Sequence, residues 1–148
     1  MSDNPSFQPE LPLGKLSVYG AVSVRYRDID AFGHVNNAVY LSYLEQARID
    51  YFAVMAGAAW NWDEFGVIVA RNEIDYLRPI HLGNEVKICT WCAKLGRSSM
   101  KMAYQIFGKS SENGDWWLAA KAETVIVAYD LKLGKVMPVH AHWAERLV

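Results

Sequence analysis

The chain has 148 residues, 52% of them hydrophobic and 21% charged, which suits one globular domain able to bury a core without disulfide or metal staples. Its formal net charge of -1 and scattered Lys and Arg leave no electrostatic footprint for nucleic acid. Met1-Ser2-Asp3-Asn4-Pro5 is polar and does not read as a secretory signal, and no apolar run approaches the roughly 18 residues a membrane helix needs; the expected compartment is the cytoplasm.

Residues 1–14 hold three of the five prolines and no periodicity, and are read as an arm preceding one domain over 15–148. From Ser17 to Tyr26, Val18, Val22, Val24 and Tyr26 alternate with Ser17, Ser23 and Arg25, the pattern of a strand. A turn-rich stretch follows from Asp28 to Asn37. The period then changes: Tyr40, Leu44, Ala47, Tyr51 and Met55 recur every three or four residues, which predicts a helix of about five turns. Asn36 or Asn37 is the expected N-cap and Gly57 the expected stop. Val39, Leu41, Tyr43, Phe52 and Val54 widen the apolar side, so the helix should be largely buried.

Beyond Trp60-Asn61-Trp62 the chain reads as strands: Phe65 to Leu77, Glu85 to Leu95, Ser98 to Phe107, Trp116 to Tyr129 after an Asn113-Gly114 hairpin turn, and a short one near Lys135 to Met137. Ala141 to Val148 suits a helical turn or two. Short turns imply antiparallel neighbours, and one long helix against one antiparallel sheet is an α+β arrangement. Cys89 and Cys92 have C-x-x-C spacing but fall in a strand, where residues three apart point to opposite faces; they are read as two unrelated thiols.

The chemistry concentrates between Asp28 and Asn37, where two carboxylates, a glycine, a histidine and two asparagines directly precede the helix. A helix start offers unpaired N–H groups and a positive dipole end, able to hold a carbonyl oxygen that gains charge. A carboxylate just upstream can activate water or attack the carbonyl. Gly33 permits close backbone approach. The same residues also serve as ordinary turn formers and caps, and both readings stand on these observations.

The run Asp28-x-Asp30-x-x-Gly33-His34-Val35-Asn36-Asn37-x-x-Tyr40-Leu41-x-Tyr43-x-Glu45-x-x-Arg48 resembles the signature of the 4-hydroxybenzoyl-CoA thioesterase family and its acyl-CoA thioesterase relatives. Weaker likeness continues through Arg78-Pro79-x-x-x-Gly83 and Leu95-Gly96-Arg97-Ser98-Ser99. The resemblance implies a hotdog fold, a curved antiparallel sheet wrapped around the long helix. It implies a homodimer joined sheet edge to sheet edge, often paired again into a homotetramer, with active sites at the dimer interface. Asp30 matches the catalytic aspartate, as nucleophile or general base, and the backbone N–H of about Asn37 matches the oxyanion donor. The implied reaction is hydrolysis of acyl-CoA to acid and free CoA, with no cofactor or metal. The His34-Val35-Asn36-Asn37 form departs from the 4-hydroxybenzoyl-specific enzymes and looks more like thioesterases of fatty acyl-CoA.

Gly33, His34, Asn36, Tyr40 and Glu45 are the candidate substrate contacts, each with a plainer alternative. His34 can hold loop carbonyls, Asn36 and Asn37 can cap, Tyr40 can be core, and Glu45 can pair with Arg48 on the surface. Asp28 reads as a strand-end charge. Arg97, Ser98 and Ser99 are candidate CoA-phosphate contacts or a solvated turn. Trp60 and Trp62 either cap an acyl pocket or pack in the core. His140 and His142 lack a third ligand, so no metal is expected. A hotdog hydratase or dehydratase and a non-catalytic acyl-CoA binder are the competing functions; the first lacks its histidine setting here, and the second has no need of Asp30.

Overall fold

The structure, a computed structural model, describes residues 14–110 and 114–147. Residues 1–13 of the expected arm, Asn113 of the expected hairpin turn, and Val148 fall outside these residues. Strand β1 (Ser17–Val22) leads through a 3-10 turn (Tyr26–Asp28) to helix α1 (Val39–Ala56). Strands β2 (Phe65–Tyr76), β3 (Glu85–Leu95), β4 (Ser99–Lys109), β5 (Trp116–Asp130) and β6 (Lys135–Val136) follow, then helix α2 (Ala141–Leu147). The sheet runs β1-β3-β4-β5-β2 with β6 on β5, and every pair is antiparallel. This is the α+β hotdog layout expected from the sequence.

Helix α1 forms where the apolar period predicts. Leu44, Tyr51 and Met55 are fully buried and meet Ile88, Met100, Met102, Ile106 and Ile126 from the sheet in one core. Full burial of such a side chain contributes about 1.5–3 kcal/mol. Gly57, at φ +85°, ends the helix. Register shifts between Val69 and Arg71, Cys92 and Lys94, and Ile106 and Phe107 add the local twist that bends the sheet around it.

Two sequence expectations are corrected here. Strand β1 stops at Val22 instead of Tyr26, because Val22 pairs with Val86 and β3 begins at Glu85, so no more than one further position could pair. Neither asparagine is the N-cap. Ala38 holds that position with no side-chain cap bond, and the Asn36 side chain accepts the Ala38 N–H at 2.9 Å from just outside the helix. Cys89 and Cys92 are free, buried thiols, as expected of an unrelated pair; burial pushes the Cys89 thiol up to about 11.

Strand β2 is an edge strand paired only with β5, and residues 68–73 along it are exposed. Ile68 and Val69 there are 44% and 41% exposed. The outer side of α1 also exposes Leu41, Ile49 and Val54. An unpaired edge of this length, apolar at Ile68, Val69 and Ala70, is a template for pairing with another strand.

Candidate active site at the start of the central helix

The loop between β1 and α1 is held by its own backbone. Asp30 N–H donates to the His34 carbonyl at 2.8 Å, and Gly33 N–H returns to the Asp30 carbonyl at 3.0 Å. Gly33 closes this turn at φ +80°, a conformation that costs other residues strain. Val35 N–H donates to Ile80, and Asn36 N–H to the Asp28 carbonyl, both at 2.8 Å, which tie the loop to the segment after β2 and to itself.

Asp30 is half-buried inside this turn. Its Oδ1 accepts the N–H groups of Phe32 (2.9 Å) and His34 (3.3 Å). Its Oδ2 accepts no hydrogen bond from the described residues. The carboxylate is thus oriented through one oxygen and open at the other, the state a nucleophile or general base requires. The His34 ring packs edge-on against His81 with centroids 4.8 Å apart, and its backbone, through both N–H and carbonyl, is what fixes Asp30.

Asp28 is 2% exposed and serves as an anchor instead of the strand-end charge expected. Its carboxylate accepts the Arg25 N–H (2.9 Å), the Arg25 guanidinium (3.2 Å to Oδ1) and the Tyr43 hydroxyl (3.0 Å). Burial alone raises this carboxyl, but the bonds from Arg25 and Tyr43 and the charge of Arg25 outweigh it, and the group lies below the usual aspartate range. Burial, then the bond to Asp28, pushes the Tyr43 phenol up.

At the helix start the N–H of Asn36 is taken by Asp28, that of Ala38 by the Asn36 side chain, and that of Val39 by the Asn36 carbonyl. The Asn37 N–H has no acceptor among the described residues. The first turn carries no acidic residue, so the positive end of the helix is not neutralised from within. The Tyr76 hydroxyl, from the end of β2, donates to the Asn37 carbonyl at 3.0 Å, and its ring meets Tyr40 edge-on at 5.0 Å.

A cavity of about 220 Å³ opens here, lined by His34, Asn37, Tyr40, Tyr76, Leu77 and Arg78 among others. Burial, then Tyr76, pushes the Tyr40 phenol up to about 12, so it stays a neutral hydroxyl on the wall. A larger depression of about 340 Å³ crosses the sheet along Glu73, Glu123, Ala103 and Trp91. It lacks a helix end, whereas the smaller cavity opens at one, so the smaller cavity is the candidate site.

The structure places His34, Asn37 and Tyr40 on the cavity wall; Asp30, Gly33 and Asn36 sit on the same loop, tied to it through the His34 backbone and the Ala38 N–H, without lining the cavity themselves. It does not bring Glu45 or Arg97–Ser99 to the cavity of the same chain. Glu45 is exposed on α1, and the expected surface pair with Arg48 is not formed; Arg48 reaches inward to the Tyr104 hydroxyl at 3.3 Å. Arg97–Ser99 lies at the other end of the sheet, where Ser99 pairs with Val127 and Val127 with Ile68, whereas Tyr76 marks the cavity end. From Ile68 to Tyr76 the separation is about 25 Å at ~3.3 Å per residue. Trp60, partly buried, packs with Trp143 and with Phe65 at the start of β2, and Trp62, still 40% exposed, packs with Phe52 and Trp143; neither lines the cavity. His140 also packs on Trp60, and the described residues contain no cluster able to hold a metal. Sequence alone does not single out Tyr43, Tyr76 and Arg78 as site residues; each joins the site through a partner distant along the chain.

Residues 24–147 match the family model of the Thioesterase-like superfamily. A thioesterase from Thermus thermophilus, solved in complex with coenzyme A and Zn, is 43% identical, with 87% of this chain and 90% of that chain covered and a TM-score of 0.71. The long-chain acyl-CoA thioesterase FadM of Escherichia coli (strain K12) is 28% identical over 85% of this chain and 93% of its own length. A 1,4-dihydroxy-2-naphthoyl-CoA hydrolase of Gloeothece citriformis (strain PCC 7424) is 31% identical over 84% and 90%. YsmA of Bacillus subtilis (strain 168) is 34% identical, but the match spans only 59% of that protein and 60% of this chain. With 24–147 matched, this chain belongs to the thioesterase-like superfamily, a family of enzymes that hydrolyse thioesters.

Proposed function

We propose that this enzyme hydrolyses acyl-CoA, fatty acyl-CoA first among the substrates, to a free acid and CoA. The observation that carries the reading is the pairing of an oriented, half-open Asp30 carboxylate with an unpaired Asn37 N–H at an unneutralised helix start. The thioester carbonyl lies with its oxygen toward the Asn37 N–H, which stabilises the charge that develops there. Asp30, through Oδ2, either takes a proton from an attacking water or itself attacks the carbonyl carbon, giving a mixed anhydride that water then hydrolyses to the free acid and Asp30. The thiolate of CoA leaves, and no cofactor or metal takes part. His34 and Gly33 shape the turn that holds Asp30, Asn36 aligns the helix start, and Tyr40 lines the acyl wall. Glu45 touches substrate only from a second copy.

The reading includes a homodimer, and a homotetramer built from it. The exposed edge of β2 supports this. Antiparallel pairing of two β2 strands sets the Phe65 end of one copy beside the Tyr76 end of the other. The Arg97–Ser99 turn of the second copy then approaches the first copy's cavity, where it meets the CoA phosphates. Free Cys89 and Cys92 suit a reducing compartment, the cytoplasm. No helix among the described residues is long and apolar enough to cross a membrane.

The test is release of free thiol from short, long and aromatic acyl-CoAs, with wild type and Asp30→Asn side by side. Asn keeps the shape of Asp and loses its charge. Turnover that falls by at least roughly 100-fold in the variant, with folding intact, supports the assignment. Turnover by Asp30→Asn at the wild-type rate would sink it, and no turnover of any thioester by the wild type would sink the hydrolase reading.

A further inference from the structure

Arg78 lines the candidate cavity beside Asn37, Tyr40 and Tyr76. Its guanidinium lies over the Trp117 ring, 4.5 Å from the centroid. No carboxylate among the described residues pairs with it. Trp117 is itself wedged: it covers Gly108 so closely that a Cβ there would sit 2.7 Å from the indole. The backbone N–H of Arg78 donates to Ala119 at 3.0 Å. Base and head of the arginine are thus both placed, and the edge of the guanidinium keeps its donors. A stacked guanidinium keeps its charge and its planar fork, the geometry that matches carboxylate or phosphate oxygens. The helix start with no acid in its first turn adds to the positive field at the same cavity.

From this we infer that Arg78 is an anion-binding residue of the substrate site, a role that rests on the thioesterase reading only for which ligand it meets. The ligand group is a pair of acidic oxygens, either on a phosphate of CoA or on a carboxylate carried by the acyl group. The two differ in reach. The arm from the thioester sulfur to the first phosphorus of CoA has about thirteen bonds and spans ~15 Å when extended, by the scale of an extended chain. Arg78 and Asn37 line one cavity of about 220 Å³. An acidic group on a short acyl chain reaches Arg78 directly, and a phosphate reaches it when the arm bends back.

The test is calorimetric binding, independent of turnover, to wild type, Arg78→Gln and Arg78→Lys. The probes are CoA, pantetheine, and two S-alkyl pantetheine thioethers of equal length, which cannot be hydrolysed, one ending in methyl and one in carboxylate. Arg78→Gln should weaken an anionic probe tenfold or more and leave the neutral probes within twofold, with Arg78→Lys between. Loss with CoA assigns the phosphate, and loss with the carboxylate-ended thioether assigns the acyl group. Equal losses across charged and neutral probes, no loss with any, or no binding of either anionic probe by the wild type overturns the inference. Failure of the wild type to hydrolyse thioesters would refute the hydrolase reading without altering this comparison.

Discussion

Replacing Tyr43 by phenylalanine removes one hydroxyl and leaves the ring in the core. That hydroxyl donates to Asp28 Oδ2 at 3.0 Å, and the carboxylate it serves is 2% exposed. Water does not replace the lost donor at such a depth. A hydrogen bond to a charged group contributes about 1.5–3 kcal/mol. Taking ~2 kcal/mol, a chain of this size should melt roughly 4–8 °C lower. The loss should depend on pH with a definite sign. Asp28 is held below the ordinary aspartate value of 3.8 in the folded state. Its stabilisation is therefore complete above that value and disappears as pH falls through the lower, folded one. Melting curves of wild type and Tyr43→Phe should keep a constant gap from pH 7 to about 4 and converge only as pH falls through the folded value, below 3.8. A gap that stays the same at low pH, or no gap at pH 7, would refute the claim that Tyr43 supports a buried ionised Asp28.

The other expectations concern the site and its assembly. Tyr76→Phe removes the donor to the Asn37 carbonyl and should lower kcat about fivefold, the worth of one neutral hydrogen bond, with KM within twofold; an unchanged kcat means the helix start is held without it. Ile68→Lys on the open edge of β2 should give monomers in analytical ultracentrifugation and lose activity with them, and active, stable monomers would rule out a site shared between copies. Gly33→Ala meets no atom within 4 Å, so only the strain of φ +80° acts; it should cost about 1 kcal/mol in stability and more than that fraction of kcat, because the same turn aims Asp30. A loss of stability with kcat intact would separate the turn from catalysis.

Much of this protein is legible in local patterns. The period of Tyr40, Leu44, Ala47, Tyr51 and Met55 marks a helix because each turn of it buries the same face, and the stop at Gly57 needs only a residue that tolerates positive φ. The loop from Asp28 to Asn37 is local too: its bonds from Asp30 to His34 and from Asn36 to Ala38 join near neighbours, so residue order nearly dictates them. The end of β1 escapes a local reading because it depends on where β3 begins, far along the chain. The N-cap falls one or two residues from its expected place because Asn36 caps from outside the helix. Asp28 reads as an exposed charge, since nothing in its neighbourhood signals that Tyr43 will cover it. What tertiary structure alone decided is which distant groups meet: Tyr76 with Asn37, Arg78 with Trp117 over Gly108, and Arg97–Ser99 at the opposite end of the sheet from Asp30. The physical reason is that sequence periodicity fixes which face a residue presents, whereas strand order and register, set by packing over the whole core, fix what that face finds opposite it.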